Sequence, residues 1–372
     1  MSRSVCRWGI LGTANIARKN WQAIRDAGNA TLVAVASRDL ARSEQFISEC
    51  QDVIAFTNSP KALGSYEALL AHPGIDAVYI PLPTGLRKEW VIRAAEAGKH
   101  VLAEKPVGCS ARDVTEMIAA CERHGVQFMD GVMFMHSRRL ARLREILDDQ
   151  NTVGELRRIT LQFSFAGDAS FLQSNIRADH SLEPFGCLGD LGWYCIRMAL
   201  WAMRGQLPDK VIGRIDSATQ ANENGVPLEF SGALLFAGGI SAAFYCSFIA
   251  ENSEWVVFSG TKGYAQLSDF VLPFSGAGSK IGVMRSEFVL RNCQFDMREG
   301  RSVESIVEPS NNAPGSQESL MFRTFSQLVL GGKTDPYWPG ITLKTQQVMD
   351  ACLRSAQRNS EAVSIESPLA SA

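Results

Sequence analysis

The sequence WGILGTANIA, residues 8–17, decides how the first part of the chain folds. A short apolar run leads into a turn, and a pattern with helical spacing follows it. Within the turn, Gly12, Ala14 and Ala17 occupy the three small positions of the dinucleotide fingerprint G-x-G-x-x-G/A. In that fingerprint the first residue makes a tight turn, the second lets the backbone approach a pyrophosphate, and the third lets the helix pack close to the strand. Because alanine replaces the second glycine, the motif taken alone fits an ordinary small-residue turn equally well.

The same alternation of strand and helix continues to about residue 131. The strand-like runs are 7–11, 31–36, 77–81, 100–104 and 127–131, and the helical patterns are 16–27, 41–49, 88–97 and 114–124. Apolar strands that alternate with helices of about ten residues indicate a parallel sheet covered by helices. Dinucleotide-binding folds place the fingerprint at the first strand–helix junction, with the pyrophosphate at the helix N-terminus. We therefore predict a dinucleotide site that includes Gly12, Thr13, Ala14, Asn15 and Ile16.

Beyond about residue 130 the pattern changes to longer strands in which apolar and polar residues alternate. This alternation is typical of antiparallel strands with one face towards solvent. Gly238-Gly239 joins two of these runs as a hairpin turn would. The runs span 158–165, 228–236, 240–248 and 254–259, and residues 318–358 look helical apart from a break at 331–340. We predict a parallel α/β domain over residues 1–130 and an α+β domain over residues 131–372.

The composition excludes several classes of protein. The 372 residues include 37 lysines and arginines against 39 aspartates and glutamates, so no basic surface for nucleic acid or an anionic membrane is expected. No apolar run approaches the ~20 residues that span a bilayer. The nine cysteines are scattered without a C-x-x-C pair, which indicates reduced thiols and no metal site. The first residues lack the apolar stretch of a signal peptide, so a cytoplasmic location is expected.

The end of the second predicted strand bears on the choice of cofactor. An NAD site usually has an acidic side chain here that holds the adenosine ribose. This chain has Ser37-Arg38 instead, a hydroxyl and a guanidinium that suit the 2′-phosphate of NADP. Asp39 follows one residue later and either reaches the ribose or caps the next helix. NADP is the favoured cofactor, and NAD remains the alternative.

Two segments carry side chains suited to acid–base chemistry. Glu104-Lys105-Pro106 follows the fourth predicted strand, at the carboxyl edge of the sheet where ligands of open α/β folds bind. From its position alone, Lys105 is either a solvated loop residue or a group that points into the crevice. In the second segment, LGDLGWYCI at 188–196, Asp190 and Tyr194 are four residues apart and share one face if the segment is helical. Asp190 is equally explained as a helix cap, and Tyr194 as a core aromatic residue.

Together these segments resemble the Gfo/Idh/MocA family of oxidoreductases. The similarity covers the nucleotide turn, the PLPT segment at 81–84, Glu104-Lys105-Pro106 and the tyrosine segment at 188–196, and it runs from residue 6 to about 355. It is closest to the branch that contains glucose–fructose oxidoreductase, dimeric dihydrodiol dehydrogenase and NADP-dependent xylose dehydrogenase. The resemblance implies a doubly wound Rossmann sheet and an α+β domain with a large, mostly antiparallel open sheet. It also implies a homodimer or homotetramer that forms through this second sheet.

The resemblance assigns roles to individual residues. Lys105 matches the catalytic-site lysine of the family, Tyr194 the tyrosine of this branch, and Asp190 the carboxylate four residues before it. The chain departs from the family at Arg87, where histidine is common, and this departure leaves the contacts near that loop open. The ribose and nicotinamide of the cofactor are expected to lie beside Lys105 against Pro81, Leu82, Pro83, Thr84 and Glu104.

The predicted mechanism follows from the chemistry of hydride transfer. A hydride leaves a carbinol carbon only if the hydroxyl proton is removed as well. A tyrosine with the usual pKa near ~10 is a poor base at neutral pH, whereas a nearby ammonium favours the phenolate. We therefore predict that Tyr194 is the general acid/base, that Lys105 stabilises the developing alkoxide, and that Asp190 orients substrate hydroxyls or the lysine. The expected substrate is a sugar, polyol or related cyclic alcohol or ketone.

Substrate contacts and alternative functions are less defined by the sequence. A hydroxylated ring needs several polar contacts and a flat apolar surface. The candidates are His136, Arg177 and His180 in loops expected to face the crevice, and Trp338 as an apolar wall. Two alternative functions are a tightly bound cofactor recycled within one turnover, as in glucose–fructose oxidoreductase, and a dinucleotide-binding regulator without turnover. The presence of both Lys105 and Tyr194 disfavours the regulator.

Overall fold

Six parallel strands form the first sheet of the protein, in the order β3-β2-β1-β4-β5-β6. The computed structural model describes residues 5–168, 171, 180, 182–219, 225–275, 277–310 and 313–366. This strand order is that of a dinucleotide-binding Rossmann sheet, which confirms the fold predicted for the first part of the chain. The strands are β1 (Cys6–Leu11), β2 (Ala30–Ala36), β3 (Lys61–Leu63), β4 (Ala77–Ile80), β5 (His100–Ala103) and β6 (Phe128–Asp130). The helices between them are α1 (Asn15–Asp26), α2 (Leu40–Val53), α3 (Tyr66–Leu70), α4 (Thr84–Glu96) and α5 (Ala111–Arg123).

The carboxyl ends of these strands meet at one edge of the sheet. β1 and β4 are neighbours although they are not consecutive, so the connections diverge between them and open a crevice. The strands are buried on both faces, as the apolar runs predict, and Trp8, Ile10 and Leu11 of β1 have no exposed surface. Because the strands are parallel, the residues that follow them gather at this edge: Gly12, Ser37, Pro81, Glu104 and Gly131.

The second sheet has eight strands in the order β16-β13-β12-β11-β7-β10-β9-β8. Among the described strand pairs of this sheet, β7 and β10 are parallel and the others are antiparallel, so the predicted, mostly antiparallel character is confirmed. Its strands are β7 (Leu156–Ala166), β8 (Lys210–Ala218), β9 (Pro227–Leu235), β10 (Ser241–Ser247), β11 (Ile249–Gly260), β12 (Tyr264–Leu267), β13 (Ala277–Met284) and β16 (Arg301–Pro309). A separate hairpin consists of β14 (Glu287–Arg291) and β15 (Gln294–Arg298).

One face of the second sheet packs on helices, and the residues of the other face are only partly buried. Along β10 the buried residues Ala242, Phe244 and Cys246 alternate with the half-buried residues Ser241, Ala243 and Tyr245. The predicted hairpin turn at Gly238 and Gly239 joins β9 to β10, and both glycines have a positive φ, near +73° and +76°. The helices of this half are α6 (Arg139–Asp148), α7 (Trp193–Ala202), α8 (Gln317–Gly331) and α9 (Tyr337–Gln357).

The last two helices return to the first sheet, which the division at residue 130 did not foresee. Phe322 and Phe325 of α8 place their ring centroids 4.9 and 5.1 Å from that of Trp8 in β1. The indole nitrogen of Trp8 donates to Ser326 Oγ at 3.0 Å. Residues distant in the sequence therefore complete the core of the Rossmann sheet, a long-range contact that local patterns do not report.

A fully buried ion pair joins the first sheet to the helices of the second half of the chain. Arg197 on α7 donates from Nη2 and Nη1 to the carboxylate of Asp130 at 2.6 and 3.1 Å, and neither side chain has exposed surface. The indole of Trp193 donates to the same carboxylate at 3.2 Å, and Arg197 Nε donates to Thr345 Oγ1 of α9 at 2.8 Å. These contacts tie the end of β6 to α7 and α9. The pair is bidentate and hydrogen-bonded, the condition under which buried charges are tolerated.

The Asp130–Arg197 pair predicts a large loss of stability when one partner is removed. Arg197→Met leaves a buried carboxylate without its cation, so we expect the free energy of unfolding to fall by about 3–5 kcal/mol in a denaturant titration. Arg204→Met is the control, because the Arg204–Asp148 pair is exposed and its loss changes stability by less than about 1 kcal/mol. If Arg197→Met loses no more stability than Arg204→Met, the buried pair does not stabilise the fold in this way.

Candidate active site

A cavity of about 1170 Å³ lies between the carboxyl edge of the first sheet and the inner face of the second. The first half of the chain lines it with Ala14, Asn15, Ile16, Pro81, Glu104 and Lys105. The second half lines it with Asp190, Tyr194, Phe163, Glu254, Trp255 and Phe274. The two halves of the protein therefore share one continuous site, and the predicted nucleotide turn and catalytic residues lie in it.

The fingerprint turn has the geometry that its sequence predicts. Gly12 has a φ of +124°, a backbone conformation that residues with a Cβ rarely adopt, and a Cβ there would lie 3.1 Å from Leu82 Cδ2. α1 begins at Asn15. Its cap residue is Ala14, so no side chain at the cap position accepts a hydrogen bond from the N–H groups of the first turn. Those N–H groups and the helix dipole suit a pyrophosphate. Thr13 lies half-buried in the same turn.

The end of β2 carries Ser37, Arg38 and Asp39, and none of the three lines the cavity. Ser37 is buried and Arg38 is exposed. Asp39 accepts a hydrogen bond from Ala41 N at 3.0 Å, so it caps α2, the second of its two predicted roles. The burial of Tyr66 raises its pKa, and the positive charges of Arg38 and Arg42 oppose this rise, which places both arginines near it.

The predicted catalytic residues meet beside the cavity. Lys105 Nζ donates to Asp190 Oδ1 at 2.5 Å and to the Asp190 carbonyl at 2.6 Å. The same ammonium lies 4.7 Å from the ring centroid of Tyr194, a cation–π contact. The Lys105 side chain is 10% exposed and that of Asp190 16%, so the lysine is not a solvated loop residue. The Tyr194 hydroxyl lies 3.6 Å from Met133 Sδ.

An irregular helical turn brings Asp190 and Tyr194 to the cavity. Residues 188–192 form a π turn ahead of α7, and such wide turns are frequent at functional sites. Gly189 is required there, because a Cβ would lie 2.7 Å from Phe185 Cβ and 3.1 Å from Pro106 Cγ. The close approach of this turn to Pro106 sets Asp190 against the neighbouring Lys105.

Glu104 is held by neutral polar groups on the wall of the cavity. Its carboxylate accepts from the Tyr79 hydroxyl at 2.6 Å and from Asn20 Nδ2 at 3.5 Å. Asn20 Nδ2 also donates to the Tyr79 hydroxyl at 2.6 Å. This network fixes the residue before Lys105 without adding a second cation. The charge of the lysine is therefore balanced by Asp190.

The structure does not bring all the predicted substrate residues to the site. His136 and Trp338 stack on each other with ring centroids 4.7 Å apart, away from the cavity wall, so their prediction as substrate contacts is corrected. Burial lowers the pKa of His136 to about 3, and the nearby Arg197 cation adds to this shift. His180 is exposed in a turn outside the cavity wall, and Arg177 lies outside the described residues.

Thr84 also departs from its predicted role. It is buried at the start of α4, where its backbone N–H and hydroxyl donate to Glu183 Oε1 at 3.0 Å and Oε2 at 2.5 Å. It therefore braces the loop that Pro81, Leu82 and Pro83 form, and these three residues line the cavity as predicted.

The apolar wall that the sequence assigned to Trp338 comes from other residues. The ring centroid of Phe163 on β7 lies 5.6 Å from that of Tyr194, next to the cluster of Lys105, Asp190 and Tyr194. The wall continues through Phe165, Trp255, Leu272 and Phe274. Periodicity marked the strands that carry Phe163, Phe165 and Trp255, but only the tertiary fold decides which of their residues reach the cavity.

Glu254 is a buried carboxyl group on the substrate side of the cavity. Burial raises its pKa to about 8, although the backbone N–H groups of Leu272 and Val271 stabilise the charged form. Leu272 N donates to Glu254 Oε2 at 2.7 Å. The carboxyl group therefore holds the 268–274 segment of the wall in place. In the described part of the chain, no cluster of histidine, cysteine, aspartate and glutamate is suited to hold a metal ion.

A Rossmann sheet whose fingerprint turn shares a cavity with a lysine, an aspartate and a tyrosine defines a two-domain nicotinamide-dependent oxidoreductase. The chain belongs to the Gfo/Idh/MocA oxidoreductase family: residues 6–132 match its NAD-binding Rossmann fold and residues 140–266 match its C-terminal domain. The family that the sequence resembles is thus confirmed. Among the described helices, none is both long and apolar enough to cross a membrane.

Named relatives lie in the predicted branch. Trans-1,2-dihydrobenzene-1,2-diol dehydrogenase of Mus musculus is 34% identical, over 72% of this chain and 76% of that protein. D-xylose 1-dehydrogenase (NADP(+)) 2 of Haloferax volcanii is 34% identical, over 69% of this chain and 74% of that protein. A 3-ketoreductase of Actinomadura kijaniata, crystallised with NADP and TDP-benzene, is similar in structure with a TM-score of 0.78 at 25% identity, over 94% of this chain and 97% of that one.

The raised pKa of Glu254 predicts a pH dependence of folding stability. The folded protein keeps a proton on this group up to about pH 8, whereas the unfolded chain releases it near pH 4.5, so stability falls as pH rises between these values. Glu254→Gln keeps an acceptor for Leu272 N and removes the titration. We expect the variant to gain stability over the wild type by up to about 1.4 kcal/mol per pH unit in this interval.

Denaturant titrations at several pH values measure this difference. The control is Glu251→Gln, which changes an exposed glutamate on the same strand and leaves the pH dependence as in the wild type. Parallel stability curves for Glu254→Gln and the wild type from pH 5 to pH 8 would show that Glu254 does not keep its proton.

Proposed function

We propose that the protein is an NADP-dependent oxidoreductase that transfers a hydride between nicotinamide and a carbinol or carbonyl carbon of a sugar, polyol or related cyclic alcohol. The observation that carries this proposal is the Lys105 ammonium, held between the Asp190 carboxylate and the Tyr194 ring on the wall of a cavity that begins at a dinucleotide turn. A dinucleotide-binding regulator needs the turn but not this cluster.

The residues of the crevice fit a nicotinamide dinucleotide. The bare backbone at Gly12 and Ala14 and the uncapped start of α1 would hold the pyrophosphate. Pro81, Leu82 and Pro83 would lie against the ribose and nicotinamide. The bound cofactor supplies the hydride acceptor or donor, and the protein supplies alignment and charge.

The cluster supports acid–base catalysis by Tyr194. The hydroxyl would take the proton of a substrate alcohol during oxidation and return it during reduction. An ammonium has three N–H groups, and Lys105 directs two of them to Asp190. The third would stabilise negative charge on the substrate oxygen, while Asp190 keeps the amine protonated and in place.

The second half of the cavity supports a ring-shaped, hydroxylated substrate. Polar groups lie at the catalytic end, and the wall of Phe163, Phe165 and Trp255 offers flat apolar surface for the C–H face of a ring. The mouse relative is named for a cyclic diol and the Haloferax volcanii relative for D-xylose. Both substrates are small alcohols, which supports this class.

The choice of NADP rests on the end of β2. Ser37, Arg38 and Arg42 offer a hydroxyl and two guanidinium groups, and the nearby acid, Asp39, is engaged as a helix cap. Arginine binds phosphate bidentately, so this arrangement suits the 2′-phosphate. The name of the Haloferax volcanii relative includes NADP(+).

We further propose that copies of the chain associate through the second sheet into a homodimer or homotetramer. The outer face of β10 carries the small or neutral residues Ser241, Ala243 and Tyr245, and Val307 on the edge strand β16 is 83% exposed. Burial of such a face would remove apolar surface from water. Nine unpaired thiols favour a reducing compartment such as the cytoplasm.

The catalytic assignment predicts large and specific losses of turnover. Tyr194→Phe removes the proton donor, and we expect kcat to fall about 10²–10⁴-fold. Lys105→Met removes the stabilising charge and is expected to lower kcat about 10²–10³-fold. Turnover is followed at the absorbance of reduced nicotinamide, with a panel of sugars and cyclic alcohols.

Tyr337→Phe, a change at the exposed start of α9 and outside the cavity lining, is the matched control and should keep wild-type kcat. Folded Tyr194→Phe and Lys105→Met variants that retain near-normal turnover on an identified substrate would refute the assignment.

The cofactor assignment predicts a selective loss of affinity. Arg38→Ala removes a charged hydrogen-bond donor to the 2′-phosphate, so we expect the Kd for NADP to rise about 10- to 100-fold. The Kd for NAD should change less than about threefold, because NAD lacks that phosphate. Titration of each cofactor by fluorescence measures both constants. Arg112→Ala on α5 is the control, and equal weakening of NADP and NAD by Arg38→Ala would exclude a role in phosphate recognition.

A further inference from the structure

Arg87 is a buried cation in the wall of the cavity that the proposed chemistry does not use. It lies in the first turn of α4 and is 4% exposed. Nη1 donates to the Pro106 carbonyl and to Thr84 Oγ1, the latter at 3.0 Å. Nη2 lies 3.8 Å from Glu183 Oε1. A charge buried to this degree needs such partners, so the side chain is fixed in position.

Glu183 holds the same region from the other side of the crevice. Its carboxylate accepts from both the backbone N–H and the hydroxyl of Thr84. Gly85 N donates to the Leu182 carbonyl at 3.2 Å. The segment that leads to Asp190 is therefore attached to the start of α4.

Pro106 connects Arg87 to the catalytic lysine. It follows Lys105 directly, and its Cγ would lie 3.1 Å from a Cβ at Gly189, the residue before Asp190. The Pro106 carbonyl oxygen also lies 3.3 Å from Thr84 Oγ1. That hydroxyl has a single proton, however, and it donates this proton to Glu183 Oε2, which is closer, at 2.5 Å. Arg87 is thus the donor that fixes the Pro106 carbonyl.

We propose that Arg87 is a positioning residue for hydride transfer. By holding the Pro106 carbonyl against the start of α4, it fixes the backbone of Lys105, so that the ammonium stays between Asp190 and the ring of Tyr194. Arg87 acts through Pro106 and not on the substrate. This inference rests on the proposed catalytic role of Lys105, because a displaced lysine matters only if its charge serves the reaction.

The test compares Arg87→Met, Arg87→Lys and the control Lys88→Met, which removes the neighbouring cation that pairs with Asp113 and Glu116 on α5. We expect kcat of Arg87→Met to fall about 10- to 100-fold, since misplacement by about 1 Å has effects of this size. The KM values for substrate and NADP should stay within about threefold. Arg87→Lys, which still offers a donor to Pro106, should recover part of kcat, and Lys88→Met should match the wild type.

Three kinetic results would overturn the proposal. Unchanged kcat in Arg87→Met, with or without a lower Tm, indicates a purely structural role. A raised KM for substrate at unchanged kcat indicates direct substrate contact. Equal kcat in Arg87→Lys and Arg87→Met indicates that the hydrogen bond to Pro106 is not the cause. If Arg87→Met does not fold, the double variant Arg87→Met/Glu183→Gln, which removes both buried charges, takes its place.

A second measurement does not require turnover. Acetylation of lysines by acetic anhydride, mapped by mass spectrometry, should modify Lys105 at least about threefold faster in Arg87→Met than in the wild type, because the lysine is less well held by Asp190. The exposed Lys210 on β8 serves as an internal control. Faster labelling of Lys105 in Arg87→Met, combined with no detectable turnover in the wild type, would support the positioning of Lys105 by Arg87 and refute the proposed function. Unchanged labelling and unchanged kcat in an active enzyme would refute the positioning alone.

Discussion

Two charges without access to solvent, Asp130 and Arg197, determine how the halves of the active site meet. Asp130 ends β6 and pairs with Ala103 on β5, two residues before Lys105. Arg197 lies one turn beyond Tyr194 on α7. A buried ion pair is stable only in good geometry, so the arrangement that satisfies the two charges admits little sliding of α7 along the sheet edge. The same constraint fixes the tyrosine with respect to the lysine, although neither belongs to the pair.

The charges of the proposed catalytic cluster differ from this pair in burial. Neither Arg197 nor Asp130 has exposed side-chain surface, and each guanidinium nitrogen donates to Asp130 or Thr345, whereas the Lys105 side chain lies at the edge of a cavity and is 10% exposed. A structural pair gains from complete mutual satisfaction, while a catalytic cation must retain interaction for charge that develops only during the reaction. The fold therefore places the ion pair without exposed surface behind the site and the cation with access to the cavity in front.

The sequence predicts the features that depend on backbone geometry and on residues close together in the chain. It does not predict which side chains meet when tertiary packing decides their positions. The Gly12 turn, the strand–helix series and the residue types at 104–106 and 190–194 each require a local pattern, and the structure brings these segments to one cavity. His136 and Trp338 were expected at the substrate because loops often line crevices, yet the two rings satisfy each other by stacking. The residues of the apolar cavity wall could not be assigned from the sequence. Alternation of apolar and polar residues identifies a strand, but it does not show which of the inward-facing residues line the cavity. Hairpin β14–β15 is absent from the sequence prediction although Phe295 and Met297 alternate with polar residues along β15, and the return of α8 to β1 is a long-range contact without a local signature.

The two sides of the cavity are held in place by different sets of contacts. The nucleotide turn and the lysine are fixed by the first sheet, whose strand order leaves few alternatives. The wall opposite depends on the 268–274 segment, which buried polar side chains hold in place: Asp269 pairs with Arg139 at 2.6 Å, and Glu254 accepts from Leu272 N. Gln317 adds a hydrogen bond to the Val271 carbonyl at 2.6 Å. None of these hydrogen bonds and ion pairs involves Lys105, Asp190 or Tyr194, so the polar contacts that shape this wall are separate from those that hold the proposed catalytic cluster.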